Sequence, residues 1–477
     1  MDCGHKIYVY CDNEAIRNSI YHILKAFFPQ AEVKSGASPC NDSFLKVEDE
    51  NGIIYEVKDA ADKYSIEVGL YDLLKERCGR SLPWGVLTGV RPVKLASAML
   101  GQMSAGEYAE YIEKTRRVSP QKALLSYNIA AREQNIIRNT LGVGRNTHSY
   151  SIYVGIPICP SKCTYCSFSS GTLGVWKDKL DAYLDALEGE MGAVSGCLKS
   201  LSPTSIYIGG GTPTVLNERQ LDRLFGIINK YFNVTDAAEY TLEAGRADTI
   251  TREKLEIALS CGVGRISVNP QSMQQKTLDR IGRRHTVRQV YDAYKSARDA
   301  GFKNINMDLI MGLPGESTDD FDDTLRQVRS LAPDSLTVHS LAIKRAAEMT
   351  AQSTDSDMID AMTELAAQSA DDMGLFPYYL YRQKSIAGNH ENIGYAAPGC
   401  ESVYNIMIME EVQSILAFGA GSTTKILLDE KVQNPNRAAG IMTSMIRQEN
   451  VKSIEHYLQR YGEMAEKKAE IAGHLMR

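Results

Sequence analysis

The sequence predicts an α/β protein whose centre is an open, partial barrel of six strand–helix units. Three observations lead to this prediction. From Ser149 onward, apolar strand-like runs alternate with helical segments, which is typical of parallel sheets because parallel neighbours need a crossover. Six units within about 200 residues are too few for a closed barrel of eight. The 477 residues, 43% apolar and 23% charged, also exceed one compact domain.

An N-terminal α+β module is predicted over residues 1–145. Glu14–Phe28 places its isoleucines and leucines on one helical face, and Glu107–Leu141 is expected to be mostly helical. The glycine and polar content of Gly142–Thr147 indicates a linker. Three runs have the composition of strands: Lys6–Tyr10, NGIIYEV from Asn51, and YSIEVGL from Tyr64.

The barrel itself is predicted over residues 146–345. Its strands are expected at Tyr150–Ile158, Ser205–Ile208, Tyr240–Glu243, Arg265–Val268, Asn304–Ile310 and Ser335–His339. The intervening helices are expected at Asp178–Leu198, Glu218–Tyr231, Arg252–Ser260, Val287–Ala300 and Asp319–Leu331. Because barrel sites are built at the carboxyl ends of parallel strands, the residues that follow these strands are the first candidates for a functional site.

Residues 346–477 are predicted to form a C-terminal α+β and helical extension. It begins with an acidic helix around Asp355–Met373, followed by a tyrosine-rich segment, Tyr378–Arg382, and a glycine-rich turn, Phe418–Gly421. No stretch approaches the roughly 20 apolar residues that cross a bilayer, and no secretion signal is recognisable, so we expect a cytoplasmic protein. A net charge of −6 gives no support for a nucleic-acid partner.

Three of the ten cysteines lie together, in the segment Cys159-Pro-Ser-Lys-Cys163-Thr-Tyr-Cys166 after the first barrel strand. Thiolates at this spacing can converge on one metal centre. Structural zinc prefers four ligands, usually in two pairs, and the chain has no second CxxC. Iron–sulfur clusters usually take four cysteines, so three would suit a [4Fe–4S] cluster with one iron open to a small molecule.

This CxxxCxxC spacing, with Tyr165 before the last cysteine, resembles the radical S-adenosylmethionine (SAM) superfamily. The resemblance implies that SAM chelates the open iron and is cleaved by a cluster electron to a 5′-deoxyadenosyl radical. The string GGGTPT over Gly209–Thr214 resembles the oxygen-independent coproporphyrinogen III oxidase family. Three segments are similar to its HemZ-type branch: Leu380-Tyr-Arg-Gln-Lys384, Glu391-Asn-Ile-Gly-Tyr395 and Gly419-Ala-Gly421.

The resemblance also implies which residues contact SAM. Gln271 and Asp308 match residues that hold the ribose hydroxyls. Arg283 matches an arginine that meets the SAM carboxylate, which is a charge-assisted pair. Glu243 matches an acid that ends the third strand. The remaining expected contacts, aromatic or through the backbone, are Tyr153, Tyr165, Gly210, Gly211, Thr212 and Ala342.

The implied substrate is coproporphyrinogen III or a related tetrapyrrole. Two of its propionates would be oxidatively decarboxylated to vinyl groups, giving protoporphyrinogen IX. A low-potential donor such as flavodoxin or ferredoxin is the expected electron source. Propionates need cationic partners, preferably arginines. The basic candidates outside the SAM motifs are Arg91, Lys94, Arg382 and Lys384.

One departure from the family pattern leaves the reaction open. The best-characterised members carry a further cysteine two positions after the triad, where this chain has Phe168. The haem-chaperone relatives lack that cysteine as well. A haem-binding chaperone is therefore one alternative, with His339 and His390 as candidate axial ligands. The other is a different radical SAM enzyme acting on a tetrapyrrole, such as a methyltransferase that opens haem anaerobically.

Overall fold

A computed structural model describes most of the chain. The described residues are 6–36, 44–59, 61–142, 146, 148–166, 171–198, 200–342, 349, 356–383, 390–434 and 440–476. Within these ranges, none of the helices combines the length and the apolar character that crossing a membrane requires. Two of the residues singled out in the sequence, Phe168 and Lys384, lie outside the described residues.

The N-terminal residues form a four-stranded sheet with the order β2-β1-β3-β4 and two helices. In chain order these elements are β1 (Lys6–Tyr10), α1 (Glu14–Phe27), β2 (Glu32–Gly36), β3 (Leu45–Asp49), β4 (Gly52–Val57) and α2 (Lys63–Cys78). The two helices and the sheet share one apolar core, to which Ile7, Ile20 and Leu70 contribute. The predicted strand Lys6–Tyr10 and the predicted helix from Glu14 are confirmed.

The predicted strand from Tyr64 is wrong, because these residues lie in α2. Asp62 caps this helix by accepting hydrogen bonds from the backbone N–H groups of Tyr64 and Ser65. Ile66 and Leu70, four residues apart, both face the core. The β-branched and aromatic composition of the segment favoured a strand, but its apolar spacing fits a helix.

Three helices follow: α3 (Val93–Met99), α4 (Ala105–Arg116) and α5 (Pro120–Leu141). The helical prediction for Glu107–Leu141 is confirmed, with one break. Arg117 ends α4 in the left-handed conformation (φ 59°), and the Ser119 side chain caps the start of α5. The predicted linker, 142–147, lies partly outside the described residues.

The predicted partial barrel is confirmed. The strands are β5 (Tyr150–Ile156), β6 (Ile158–Cys159), β7 (Gly171–Thr172), β8 (Ser205–Gly210), β9 (Glu239–Glu243), β10 (Arg265–Ser267), β11 (Asn304–Met311) and β12 (Ser335–Ser340). Six of them are consecutive parallel neighbours in an eleven-stranded sheet, in the order β5, β8, β9, β10, β11 and β12. The helices are α6 (Leu173–Trp176), α7 (Leu180–Ser195), α8 (Glu218–Tyr231), α9 (Arg252–Ser260), α10 (Gln275–Arg280), α11 (Val287–Ala300) and α12 (Thr318–Leu331).

The C-terminal segment extends the same sheet at both edges. Its elements are α13 (Ser356–Asp372), β13 (Phe376–Arg382), β14 (Glu391–Ala396), α14 (Val403–Glu410), β15 (Ser414–Phe418), β16 (Thr423–Gln433), β17 (Met442–Glu449) and α15 (Ile454–Ala472). β14 joins β12 antiparallel, while β15 joins β5 in parallel. Because strands on both sides of residue 345 share one sheet, the domain boundaries at residues 145 and 345 stay predictions.

Candidate functional site

A cavity of about 590 Å³ opens at the carboxyl ends of the barrel strands. Residues from the loop after β5 and from the ends of β8, β9, β11 and β12 line it. The structure therefore brings together, around one space, every residue expected to bind a cluster or SAM. These are Tyr153, Cys159, Cys163, Tyr165, Cys166, Gly210, Gly211, Thr212, Glu243, Gln271, Arg283, Asp308 and Ala342.

The three cysteines lie on a loop that is held by neighbouring backbone. The Thr212 hydroxyl donates to Cys159 Sγ over 3.5 Å. The backbone N–H of Thr164 donates to the carbonyl of Ile281 over 3.1 Å, and that of Cys166 donates to the carbonyl of Cys163. In the described part of the chain, no three His, Cys, Asp or Glu side chains are close enough to hold a single metal ion. A cluster does not need such a convergence, because each cysteine binds a different iron.

The glycines after β8 bring backbone against the cysteine loop. The backbone N–H of Gly211 donates to the carbonyl of Ile156 over 2.9 Å. A Cβ on Gly211 would lie 2.6 Å from the backbone nitrogen of Ile158, whereas one on Gly209 would meet the side chain of Glu243. The Gly211 position therefore requires glycine, and the strand end keeps space for a ligand along its backbone.

Two acids, Glu243 and Asp308, line the cavity. Burial, followed by repulsion from Asp308, raises the pKa of Glu243 to about 7. Burial also acts to raise the pKa of Asp308, but the neighbouring His339 and a hydrogen bond from Asn306 hold it below its ordinary value. The Asn306 amide donates to Asp308 Oδ1 over 2.7 Å. Asp308 is thus the better hydrogen-bond acceptor of the two at neutral pH.

Gln271 is joined directly to the strand that carries Asp308. Its backbone N–H donates to the carbonyl of Asp308 over 2.9 Å, and its carbonyl accepts from the N–H of Ile310 over 3.0 Å. Gln271 has φ 68°, a left-handed conformation that is costly for a residue with a Cβ. Backbone strain of this kind is concentrated at functional sites. The side chains of Gln271 and Asp308, which both line the cavity, suit a ligand with two adjacent hydroxyls.

Arg283 ties two strand-end loops together at the cysteine end of the cavity. Its guanidinium donates to the carbonyls of Gly245 and Asn269, at 3.1 and 2.6 Å. The residue is 6% exposed, and its Nε has no hydrogen-bond partner in the described structure. A buried guanidinium with an unused N–H group fits an anionic ligand such as a carboxylate.

The basic residues predicted to bind substrate are placed elsewhere. Arg91 bonds to Glu411 (2.9 Å) and to the carbonyl of Met409 (2.7 Å), and Lys94 is exposed. Arg382 is 3% exposed, and its guanidinium donates to the carbonyl of Leu87. None of the three described residues lines the cavity, so their positions do not support the prediction.

The local geometry explains this outcome for Arg382. Tyr381 and Gln383 line the cavity, and because side chains alternate along a strand, Arg382 points to the other face of β13. There its guanidinium lies 5.7 Å from the ring centroid of Trp84. The residue fastens the N-terminal segment to the sheet.

The two histidines considered as haem ligands differ in position. His339 lines the cavity, with Nδ1 3.3 Å from the Tyr381 hydroxyl and Nε2 3.9 Å from Asp308 Oδ2. His390 is 1% exposed, lies outside the lining, and has its Nδ1 3.8 Å from Asp360. Only His339 is therefore within reach of a molecule in the cavity.

Sequence reasoning missed several lining residues. Tyr207 stacks with both Tyr153 and Tyr404, with ring centroids 6.3 and 4.8 Å away, and these two rings are 6.2 Å apart. Tyr207 was detectable, because it alternates with Gly209 along β8 and faces the same side. Tyr404 was not, because only the fold of the C-terminal segment brings α14 to the barrel. Arg246, three residues after Glu243, was also missed.

Comparison with known proteins identifies the family. The radical SAM superfamily profile matches residues 153–328. The oxygen-independent coproporphyrinogen-III oxidase-like protein HemZ of Bacillus subtilis (strain 168) is 38% identical over 409 residues, covering 84% of this chain and 79% of the relative. The haem chaperone HemW of the same organism is 36% identical over 197 residues, which are 41% of this chain and 51% of HemW.

A solved structure resembles this fold. The coproporphyrinogen III oxidase HemN from Escherichia coli, a radical SAM enzyme, aligns with a TM-score of 0.51 and 22% identity, covering 71% of this chain and 73% of HemN. At this identity the likeness shows the fold. It agrees with the open, partial barrel described above.

The superfamily's cofactors are a [4Fe–4S] cluster and SAM, and the cavity suits both. Three thiols lie at one end, and beside them the unpartnered Nε–H group of Arg283 can donate a hydrogen bond to an anionic ligand. Glycine backbone lines one wall, and the Asp308–Gln271 pair lies further along. With this fit, the profile match and the long HemZ alignment, the chain belongs to the HemZ-type branch of the oxygen-independent coproporphyrinogen III oxidase family, within the radical SAM superfamily.

Proposed function

We propose that this protein oxidatively decarboxylates two propionates of coproporphyrinogen III to vinyl groups, giving protoporphyrinogen IX. The observation that carries the proposal is the shared cavity. Residues suited to a cluster and SAM line it together with Tyr379, Tyr381 and His339 on a further wall. A substrate side chain against that wall would lie in the same enclosed space as SAM. The length of the HemZ alignment supports the oxidase-like branch.

The cluster ligands in this proposal are Cys159, Cys163 and Cys166. When bound, the cluster and SAM would supply one-electron cleavage of SAM and, through it, abstraction of a hydrogen atom. Arg283 would hold the SAM carboxylate, which balances a buried charge. Gln271 and Asp308 would hold the ribose hydroxyls.

The remaining cavity residues orient the ligands and exclude water. Glu243 accepts a hydrogen bond from the backbone N–H of Gly210 over 3.3 Å and so fixes the strand end that faces SAM. The stacked rings of Tyr153, Tyr207 and Tyr404 close one side of the space. A dry site protects a reactive species from side reactions.

Each turnover would convert one propionate of the substrate into a vinyl group. One electron from the donor would break the C5′–S bond of SAM and release methionine, and the C–H bond at the β-carbon of a propionate would break as its hydrogen atom passes to that C5′ carbon. The C–C bond to the carboxylate then breaks and releases CO₂, while one electron passes to a one-electron acceptor. A vinyl group remains, and two turnovers complete the product.

The second candidate function is a haem-binding chaperone. Two observations favour it: Phe168 replaces the family's further cysteine, and HemW relatives match 41% of the chain at 36% identity. Its candidate axial ligand would be His339, whose ring nitrogens already face Tyr381 and Asp308. Nε2 lies 3.9 Å from Asp308 Oδ2, beyond hydrogen-bond distance, so this nitrogen is open to a metal, and product analysis distinguishes the two functions.

Product analysis tests the proposal. The reconstituted, reduced protein is incubated anaerobically with SAM and either coproporphyrinogen III or haem, and the products are measured by mass spectrometry. Stepwise loss of CO₂ with two hydrogens from coproporphyrinogen supports the decarboxylase. Tight haem binding without turnover would support the chaperone, and a methylated, ring-opened product would support an anaerobic haem-opening methyltransferase.

We also propose the setting of the reaction. The protein would work in the cytoplasm with a low-potential flavodoxin or ferredoxin as its electron donor. None of the described cysteines forms a disulfide bond, which fits a reducing compartment.

A further inference from the structure

Arg246 is a buried cation beside the cysteine loop. It follows β9 by three residues and is 2% exposed. Its Nη1 lies 3.9 Å from Cys163 Sγ, within the range of a hydrogen bond to sulfur. The same nitrogen donates to the hydroxyl and the carbonyl of Ser161, at 3.1 and 3.3 Å. One edge of the guanidinium therefore faces the loop proposed to carry the cluster.

Asp248 holds the opposite edge of this guanidinium. Its two carboxylate oxygens accept from Arg246 Nε and Nη2, both at 3.1 Å, in a bidentate fork. The buried ring of His285 lies behind the pair, with Nδ1 3.8 Å from Asp248. Burial, followed by the charges of Arg283 and Arg246, lowers the pKa of His285 to about 3, so this ring is neutral. The Arg246 side chain is thus fixed from both sides.

The direction of its effect on a cluster follows from charge. Reduction adds one negative charge, and N–H groups that donate to the cysteine sulfurs stabilise the reduced form more than the oxidised form. A water-excluded site strengthens this preference because it screens charge weakly. The carboxylate of Asp248 balances the charge of the Arg246 guanidinium, but the N–H group on Nη1 can still donate to Cys163 Sγ.

We propose that Arg246 tunes the cluster by donating to the Cys163 thiolate, which raises the reduction potential and makes the cluster easier to reduce. The inference rests on the cluster-binding role proposed for Cys163. It goes beyond that role, because it names the side chain that sets how readily an electron enters. Arg283 is also close to the cysteine loop, but its guanidinium donates to the carbonyls of Gly245 and Asn269, whereas Arg246 has Cys163 Sγ within hydrogen-bond range.

The test is a redox titration of the reconstituted protein without substrate, followed by electron paramagnetic resonance. Arg246→Gln should shift the potential to more negative values. We expect about a tenfold lower ratio of reduced to oxidised cluster at a fixed poise, which is ~59 mV for a one-electron couple. Arg246→Lys keeps the charge but cannot form the fork to Asp248, so its shift should be smaller and of the same sign. Arg284→Gln, which removes an exposed charge next to Arg283, is the matched control and should leave the potential unchanged.

Iron and sulfide contents separate the possible failures. If Arg246→Gln retains its cluster and its potential equals that of the wild type, the tuning role is wrong. If both Arg246 variants lose the cluster, the residue holds the loop together and the proposal is likewise overturned. If Cys163→Ala retains a full cluster, the ligand assignment fails first. None of these outcomes depends on turnover, so they are independent of the proposed reaction.

Discussion

Asp308 is the residue whose surroundings most clearly indicate a hydrogen-bonding role. It is half-buried, accepts from Asn306, and has a pKa below its ordinary value. We expect Asp308→Ala to weaken SAM binding about 10- to 150-fold, because a lost hydrogen bond to a charged group costs roughly 1.5–3 kcal/mol. Anaerobic calorimetry measures the affinity, and the exposed Asp299→Ala serves as control. Unchanged affinity with an intact cluster would remove Asp308 from the SAM site.

Cys163 carries the second prediction at this scale. Cys163→Ala should abolish an oxygen-sensitive brown chromophore, because it removes one of only three proposed protein ligands. Iron and sulfide analysis after anaerobic reconstitution is the measurement. Cys261→Ala, which changes a thiol outside the cavity, is the control. About four irons per chain in Cys163→Ala would contradict the assignment.

The buried carboxyl of Glu316 makes the stability of the fold depend on pH. Burial raises its pKa from 4.5 to about 7, although hydrogen bonds from Ser272 and Thr277 act in the opposite direction. The folded state therefore holds a proton that the unfolded state releases at lower pH, so stability falls as pH rises from about 5 to about 8. The difference between the folded-state and unfolded-state pKa of Glu316 corresponds to about 3 kcal/mol in the free energy of unfolding. Glu316→Gln should match the wild type in Tm at pH 5 and exceed it at pH 8.

Thermal unfolding of the cluster-free protein at the two pH values checks this prediction. The exposed Glu253→Gln is the matched control and should follow the wild type at both. If the difference between Glu316→Gln and the wild type were the same at pH 5 and pH 8, the buried carboxyl would not be the source of the pH dependence.

Motif residues could be predicted from the sequence, whereas isolated charges could not. Glu243, Gln271 and Asp308 lie in the second half of parallel strands or just after one, and the topology brings such positions together whatever lies between them. The substrate role of Arg382 stays a prediction, and the residue lies outside the cavity lining because one face of β13 packs against Trp84. Nothing in a single sequence records that packing.

At the scale of elements, α15 is fastened to the barrel by a buried ion pair. Lys468 on α15 and Glu190 on α7 have fully buried side chains and bond to each other, and Glu190 also accepts from the Tyr457 hydroxyl over 2.6 Å. Glu190 also accepts from the Asn450 amide over 2.7 Å and from the N–H of Gly419 over 2.9 Å, and the latter contact holds the turn after β15. The C-terminal helix thus stabilises the strand that lies beside β5.

Lys468→Ala should lower the free energy of unfolding by about 3–5 kcal/mol, because removing one partner leaves the other charge buried and uncompensated. The neighbouring Lys467→Ala, which is exposed on the same helix, should change it little. Denaturant unfolding followed by circular dichroism measures both variants. Equal stabilities of Lys468→Ala and the wild type would contradict the stabilising role of this ion pair.

Helices and strands with a clear hydrophobic pattern could be predicted from the sequence, and those without one could not. The barrel strands were found because each is a short apolar run between amphipathic helices. The segment from Tyr64 was misassigned because its residue types favour a strand although their spacing is helical. β15 was missed since its pairing partner, β5, precedes it by more than 250 residues in the chain, and such long-range pairing leaves no local signal.

At the scale of the whole molecule, one sheet connects the site to both ends of the chain. β14 extends the barrel beyond β12, and Glu391 on β14 accepts from Trp84 Nε1 over 2.6 Å and bonds to Lys122. The N-terminal segment is thereby held against the edge of the sheet nearest His339. This arrangement allows the segment to contribute to stability without lining the cavity.

The central claim is that a propionate of coproporphyrinogen loses a hydrogen atom to SAM in this cavity. The most direct measurement uses coproporphyrinogen III deuterated at the β-carbons of its propionates, incubated anaerobically with the reduced protein and SAM. We predict that deuterium appears in 5′-deoxyadenosine, in step with the release of CO₂ and the appearance of vinyl groups. Unlabelled 5′-deoxyadenosine and an unchanged tetrapyrrole would contradict the claim.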